Sequence, residues 1–186
     1  MALLHDCSSY DPEKNDYYTQ KTMWEQIAPI VKRKFGENAR VWEACMLNSK
    51  SKSPQYLTDL GFEVKAYTNL DCRRYGEEFK DNYDCIITNP PFKTDLKRSI
   101  LRHFYQLDKP FVIVMNVMNV FSKYMRDIFG EDIKHLQVVY PQGKILFEEW
   151  DDKKKEMIKC KKAPSFYCGF VCYKMDIPPE LMFISK

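Results

Sequence analysis

Hydrophobic and polar positions alternate along the chain in blocks that predict a repeated order of helices and strands. Apolar residues recur at helical spacing through residues 19–34 and again through residues 95–107. Shorter apolar segments predict strands at residues 39–46, 62–67, 83–88, 111–117 and 135–140. Strands that alternate with helices in this way are typical of α/β proteins with a mainly parallel sheet.

The C-terminal third of the chain predicts an antiparallel addition to this sheet. Residues 144–149 and 165–174 are both strand-like, and a charged segment joins them. We therefore expect these two strands to form a hairpin at one edge of the sheet. Two short helices complete the prediction, one from Ser53-Pro54 to Gly61 and one over residues 120–129.

Length and composition favour one folded unit. The chain has 186 residues, of which 15% are aromatic, so we expect residues 1–186 to form a single domain with residues 1–16 as a loosely ordered N-terminal segment. Lys and Arg number 29 against 26 Asp and Glu, which gives a net charge of +3. This mildly basic balance permits a nucleic-acid partner without requiring one.

Cysteine usage and the apolar segments indicate the compartment. The seven cysteines are odd in number, and no CxxC pair occurs, so we expect free thiols and no zinc site. The N-terminus lacks the apolar core of a secretory signal, and no apolar segment is long enough to span a bilayer. We expect an intracellular protein in a reducing compartment, cytoplasm or nucleus, without a membrane partner.

The strongest chemical signal is the turn Asn89-Pro90-Pro91-Phe92, which follows an apolar strand directly. Ligands of open α/β sheets bind beyond the carboxyl ends of the strands. The two prolines stop the strand and stiffen the turn, so the Asn89 amide oxygen and the Pro90 carbonyl can act as two acceptors for a planar amine. Phe92 can stack on the base that carries the amine. The alternative is that the turn only ends a strand and that Phe92 is a core residue.

The segment DCIITNPPF resembles motif IV of amino-group methyltransferases that use S-adenosylmethionine, most closely the adenine-N6 DNA methyltransferase class. The chain as a whole is similar to the small stand-alone proteins of this kind in large DNA viruses, phages and algae. Residues 16–20 resemble the N-terminal cofactor-side motif, and residues 41–44 resemble the first strand. The resemblance implies a Rossmann-like methyltransferase fold with a mostly parallel, seven-stranded sheet that contains one antiparallel strand.

The same resemblance implies methyl transfer to adenine N6, with Asn89 and Pro90 orienting the amine and Phe92 stacking on the base. Cytosine N4 and guanine N2 in RNA are alternatives, because the same turn serves those amines. Protein glutamine is a weaker alternative, since that group typically has Tyr in place of Phe92. The chain has no insertion for target recognition, so the partners implied are DNA or RNA and a protein that supplies recognition.

The cofactor-binding positions implied by the resemblance depart from the family pattern. They are Tyr18, Thr19, Glu43, Ala44, Asn48, Ser49, Thr68, Asn69 and Asp71. Leu47 and Ser49 replace two glycines, and neutral Thr68 and Asn69 stand where an acidic ribose ligand is expected, so that Asp71 could serve only if its loop turns back. A catalytically silent methyltransferase-like subunit with a structural or nucleic-acid-binding role is therefore the alternative.

Lysines near the turn and in the charged C-terminal loop are candidates for phosphate contacts. They are Lys93, Lys97, Lys153, Lys154 and Lys155. A solvated protein surface is the alternative interpretation for each of them.

Overall fold

A central sheet and a small separate sheet organise the protein. The computed structural model describes residues 17–46, 49–68, 70–160 and 167–184. The strands are β1 (Tyr18–Thr19), β2 (Arg40–Glu43), β3 (Glu63–Ala66), β4 (Cys85–Thr88), β5 (Phe111–Asn116), β6 (Leu136–Val139), β7 (Phe147–Asp151), β8 (Glu156–Lys159) and β9 (Cys168–Tyr173). The helices are α1 (Lys21–Phe35), α2 (Ser53–Asp59), α3 (Thr94–Gln106) and α4 (Lys123–Phe129).

The central sheet has six strands in the order β3-β2-β4-β5-β9-β6. Strands β3, β2, β4 and β5 are parallel, whereas β9 is antiparallel to both of its neighbours. The mixed α/β class and the mostly parallel sheet are as predicted. The described residues place six strands in this sheet, one fewer than the seven expected. The N-terminal segment 1–16 lies outside the described residues.

The predicted pairing of the C-terminal strands is wrong. Strand β7 pairs with β8 rather than with β9, and together with β1 these two strands form the small three-stranded sheet. Strand β9 lies inside the central sheet because all six of its residues are buried, as is usual for a strand covered on both faces. Strand β7 has four half-buried residues of five, which suits a sheet that is open on one side.

Two apolar layers cover the central sheet. Successive residues of β4 face opposite sides, so Ile86 packs with Trp42 and Phe104 in one cluster, whereas Ile87 packs with Trp24 in the other. All four residues of β4 are buried. In the described part of the chain, no helix combines the length and the apolar character needed to cross a membrane.

The connections around β2 create a crevice at one edge of the central sheet. From β2 the chain moves outward to β3 and then returns across to β4 on the other side. Ligands of open α/β sheets bind at such a reversal, beyond the carboxyl ends of the two strands. Glu43 ends β2 and Thr88 ends β4, so Asn89 begins the loop that borders this crevice.

Candidate functional site

Asn89 presents a buried acceptor to which no described group donates a hydrogen bond. Its side-chain Nδ2 donates a hydrogen bond to the carbonyl oxygen of Tyr17, 2.7 Å away. A carbonyl oxygen only accepts, so this bond determines which end of the amide is the nitrogen. The other end, Oδ1, is buried and has no hydrogen-bond partner among the described residues. An unsatisfied buried acceptor costs about 1–3 kcal/mol, which a ligand N–H could recover.

The rest of the turn holds this acceptor in place. Thr88, Pro90 and Pro91 are all buried, and each proline restricts the backbone of the residue before it. The Asn89 amide is therefore attached to a stiff segment on one side and hydrogen-bonded to Tyr17 on the other.

Phe92 belongs to a cluster of three rings. Its centroid lies 5.7 Å from that of Tyr17 and 5.8 Å from that of Phe147, and both pairs are close to perpendicular. Phe92 is half-buried and packs against the apolar layer that contains Trp24 and Ile87. The cluster joins Tyr17, the turn and the small sheet, in line with the alternative interpretation of Phe92 as a core residue.

Glu43 forms an internal bridge between the ends of β2 and β4. It is 3% exposed, and its Oε1 accepts hydrogen bonds from the Thr88 hydroxyl and, at 3.2 Å, from the Cys45 amide. Burial raises the pKa of Glu43 to about 7, although these two donors oppose the shift. Glu43 thus lies at the end of the first strand of the central sheet, where its carboxylate binds protein groups. Ala44 beside it is buried.

Two thiols lie in contact between the loops that follow β2 and β3. The Sγ atoms of Cys45 and Cys72 are 3.7 Å apart. Burial and the nearby Cys72 raise the pKa of the Cys45 thiol well above its ordinary value. This contact was not predictable from the sequence, because the two cysteines are 27 residues apart.

Thr19 is the second buried polar group without a partner near the turn. Its side chain is buried in β1, and no group in the described ranges hydrogen-bonds to its Oγ1. Tyr17, whose main-chain carbonyl contacts Asn89, lies two residues earlier. Tyr18, the third residue of this segment, is half-buried.

The remaining predicted cofactor residues are exposed, lie outside the described residues or already form an ion pair. Ser49 and Thr68 are exposed, and Asn48 and Asn69 lie outside the described residues. Asp71 accepts hydrogen bonds from Arg73 Nε at 2.8 Å and Arg73 Nη2 at 2.7 Å. Burial alone would raise the pKa of Asp71, but the hydrogen bonds and charge of Arg73 hold it below its usual value. Asp71 therefore forms an ion pair within its own loop, whereas binding a ribose would need this loop to turn back.

The placement of Lys97 contradicts its predicted role as a phosphate contact. Its side chain is 4% exposed, and burial lowers the pKa of its amine. Lys97 lies one helical turn from Ile100 and two turns from Phe104, both buried, so it shares the inward face of α3. Lys93, by contrast, is exposed next to the turn.

The other three lysines occupy the tight turn between β7 and β8, and all are exposed. Asp151 Oδ1 accepts hydrogen bonds from the amides of Lys153 at 2.9 Å and Lys154 at 3.1 Å. The amine of Lys155 lies 3.8 Å from the Asp152 carboxylate. This turn is at the opposite end of β7 from Phe147, and thus away from the ring cluster.

Comparisons with known proteins add a distant similarity to solved structures. No protein-family model matches the sequence, and no curated protein matches it significantly. Among solved structures, the chain is similar to a SAM-dependent O-methyltransferase from Thermotoga maritima, with a TM-score of 0.36 and 11% identity. The similarity covers 80% of this chain and 62% of that one, so the chain spans about three-fifths of its length.

Proposed function

We propose that the protein is an amino-group methyltransferase that acts on the exocyclic amine of a nucleic-acid base, with adenine N6 as the first candidate. The observation that carries the proposal is the buried Oδ1 of Asn89, which is oriented by Tyr17 and lacks a donor among the described residues. An amine N–H can satisfy this oxygen, and the adjacent Pro90 carbonyl is the acceptor for the second N–H.

The chemistry follows from what these acceptors do to the amine. Two hydrogen bonds to the N–H groups favour a pyramidal nitrogen, whose lone pair would attack an electrophilic methyl carbon as the bond of that carbon to the donor sulfur breaks. The donor would leave as a neutral thioether, and the methylated nitrogen would lose one proton to solvent. No strong general base is needed, because orientation and fixed dipoles supply the effect. The half-buried Phe92 lies three residues from Asn89, where it can contact the face of the same base.

S-adenosylmethionine, when bound, would supply an electrophilic methyl group. The donor set fits the cofactor at Thr19, whose buried hydroxyl has no partner in the described ranges and can bind a polar group there. It does not fit the ribose at Asp71, because Arg73 already binds that carboxylate. We therefore expect weaker cofactor binding than a free carboxylate would give.

The second candidate function is a catalytically silent subunit of a larger assembly that retains a methyltransferase-like fold. The Asp71–Arg73 pair and the internal bonds of Glu43 favour it, since both carboxylates are used by the protein itself. In that case Asn89 would bind a base amine without transferring a methyl group to it. DNA or RNA is the proposed partner in either case, with a protein partner for target recognition.

Analysis of methylated nucleosides tests the proposal. The protein is incubated with S-adenosylmethionine carrying a deuterated methyl group and with DNA and RNA of mixed sequence, which are then digested for mass spectrometry. We expect labelled N6-methyladenine. Labelled N4-methylcytosine or N2-methylguanine would overturn the assignment of the base and keep the chemistry.

A calorimetric titration with S-adenosylmethionine distinguishes the two candidate functions. Binding in the micromolar range together with labelled product supports the methyltransferase. The absence of both heat at millimolar ligand and labelled product overturns it in favour of the silent subunit, since binding is then weaker than about −4 kcal/mol.

A further inference from the structure

An exposed apolar rim stands beside the Asn89 turn. After β5 the chain forms a 3-10 turn over Val117–Phe121, in which Met118 is 66% exposed and Phe121 is 82% exposed. Tyr167, 73% exposed, joins them because its carbonyl oxygen accepts a hydrogen bond from the Val117 amide at 3.1 Å. We call Met118, Phe121 and Tyr167 the apolar rim.

The backbone of the rim is hydrogen-bonded and closely packed. Asn116 Oδ1 accepts a hydrogen bond from the Met118 amide at 3.0 Å, and Asn119 Nδ2 donates to the Asn116 carbonyl at 3.0 Å. Gly169 of β9 lies so close that a Cβ added there would be 2.7 Å from Val117 Cγ1. Hydrogen bonds and close packing therefore hold the turn, and the side chains of Met118 and Phe121 are left in solvent.

The rim rises above the level of the turn at the same edge of the sheet. Strands β4 and β5 are parallel neighbours, and Thr88, the last residue of β4, pairs with Ile113. Strand β5 continues for three residues beyond Ile113, which at about 3.3 Å per residue adds roughly 10 Å. The rim therefore follows a strand end that lies roughly 10 Å farther along the sheet than the end of β4, where Asn89 begins the turn.

Two lysines lie close to the rim, and a third lies beside the Asn89 turn. The Lys144 amine lies 6.0 Å from the centroid of the Tyr167 ring, and Lys123 is exposed two residues after Phe121. Lys93 is exposed beside the Asn89 turn. Exposed rings and an apolar side chain flanked by lysines are suited to stacked bases flanked by phosphates, more than to an uncharged protein surface.

We propose that the apolar rim inserts into a nucleic-acid duplex and fills the space left when the target base turns out toward Asn89. The inference rests on the proposed function. A base must leave its stack before its amine can reach a buried acceptor, and that extrusion carries a cost in lost stacking. Apolar side chains that enter the base step offset this cost, and Phe and Met are among the residues used in that way.

The test uses DNA duplexes in which 2-aminopurine, whose fluorescence rises on unstacking, lies next to adenine. With the wild type we expect fluorescence to rise on binding. The double variant Met118→Ala, Phe121→Ala should bind the duplex about 5- to 100-fold more weakly and give no rise, with single-stranded DNA bound within two-fold of wild type. A second double variant, Met118→Ala with Phe121→Trp, keeps an aromatic ring at position 121. This variant should restore the fluorescence rise.

Three results would overturn the inference. The first is that the double variant keeps both the fluorescence rise and the duplex affinity. The second is that the wild type binds no duplex. The third is that the double variant loses only self-association or a protein contact, as measured by light scattering. Thermal melting of each variant checks the fold, which such exposed positions should leave unchanged. The labelled-nucleoside assay on single-stranded DNA judges the proposed function separately, because no duplex has to be opened there.

Discussion

The side-chain nitrogen of Asn89 donates a hydrogen bond to the main-chain carbonyl of Tyr17, 72 residues earlier in the chain, with a nitrogen–oxygen distance of 2.7 Å. Pairing of β1 with β7 holds the segment that follows Tyr17 in position. The orientation of the Asn89 amide therefore depends on the small sheet as well as on the strand that precedes the turn. This link between two distant segments gives the site its free acceptor.

We expect Glu43→Gln to remove a pH dependence from folding stability. The pKa of buried Glu43 is about 7, against 4.5 for the ordinary group, so between these values the folded state holds a proton that the unfolded state has lost. The contribution of this bound proton to the free energy of unfolding is fully present below pH 4.5 and is lost as pH rises through 7. It amounts to about 3 kcal/mol, at about 1.4 kcal/mol for each pKa unit.

Urea unfolding at pH 4.5 and pH 8 measures this effect. The stability of the wild type relative to Glu43→Gln should fall by about 3 kcal/mol over that range. Glutamine keeps an oxygen for the Thr88 hydroxyl and the Cys45 amide, so the variant should fold. A difference that does not change with pH would show that Glu43 is ionised throughout.

Gly76→Ala should be more destabilising than Gly36→Ala, although both glycines have a positive φ. A Cβ at Gly76 would lie 2.6 Å from Trp42 Cζ3 and 2.9 Å from Leu107 Cδ1, whereas a Cβ at Gly36 meets nothing within 4 Å. We expect losses of about 2–4 kcal/mol and about 1 kcal/mol respectively, measured from urea unfolding midpoints. Equal losses would mean that the apolar layer around Trp42 can move to accommodate the added methyl group.

Lys93 and Lys97 should differ in their effect on nucleic-acid binding. Lys93→Ala should lower the slope of log affinity against log salt concentration by about 1, because an exposed lysine beside the turn can neutralise a phosphate. Lys97→Met should leave the slope unchanged, since Lys97 is buried. Fluorescence anisotropy over a range of salt concentrations measures both slopes. An equal decrease in both variants would show that Lys97 reaches the nucleic acid.

The sequence predicted the class of the fold better than its pairing. Central strands of a parallel sheet are apolar throughout, so β4 and β5 were recognisable from composition alone. The partner of β9 was not, because neighbouring segments favour a local hairpin and only long-range burial places β9 between β5 and β6. The position of Asn89 at the end of β4 was predicted, whereas its contact with Tyr17 depends on the small sheet.

Two errors in the candidate site had signals in the sequence. Lys97 precedes Ile100 and Phe104 at helical spacing, which predicts an inward position that its charge conceals. Asp71 is followed two residues later by Arg73, a spacing that permits a pair within one loop. The contact between Cys45 and Cys72 had no such signal, because it joins loops after two different strands.

The central claim is tested most directly by the rate of methyl transfer of the Asn89→Ala variant. The affinity of the same variant for S-adenosylmethionine is measured alongside. The variant removes the acceptor that we assign to the base amine and leaves Thr19 and Glu43 in place. The account predicts a loss of about 10²-fold or more in transfer, the usual effect of removing one oriented polar group from a site, with cofactor affinity within two-fold of wild type. Unchanged transfer in a folded Asn89→Ala variant would contradict the account.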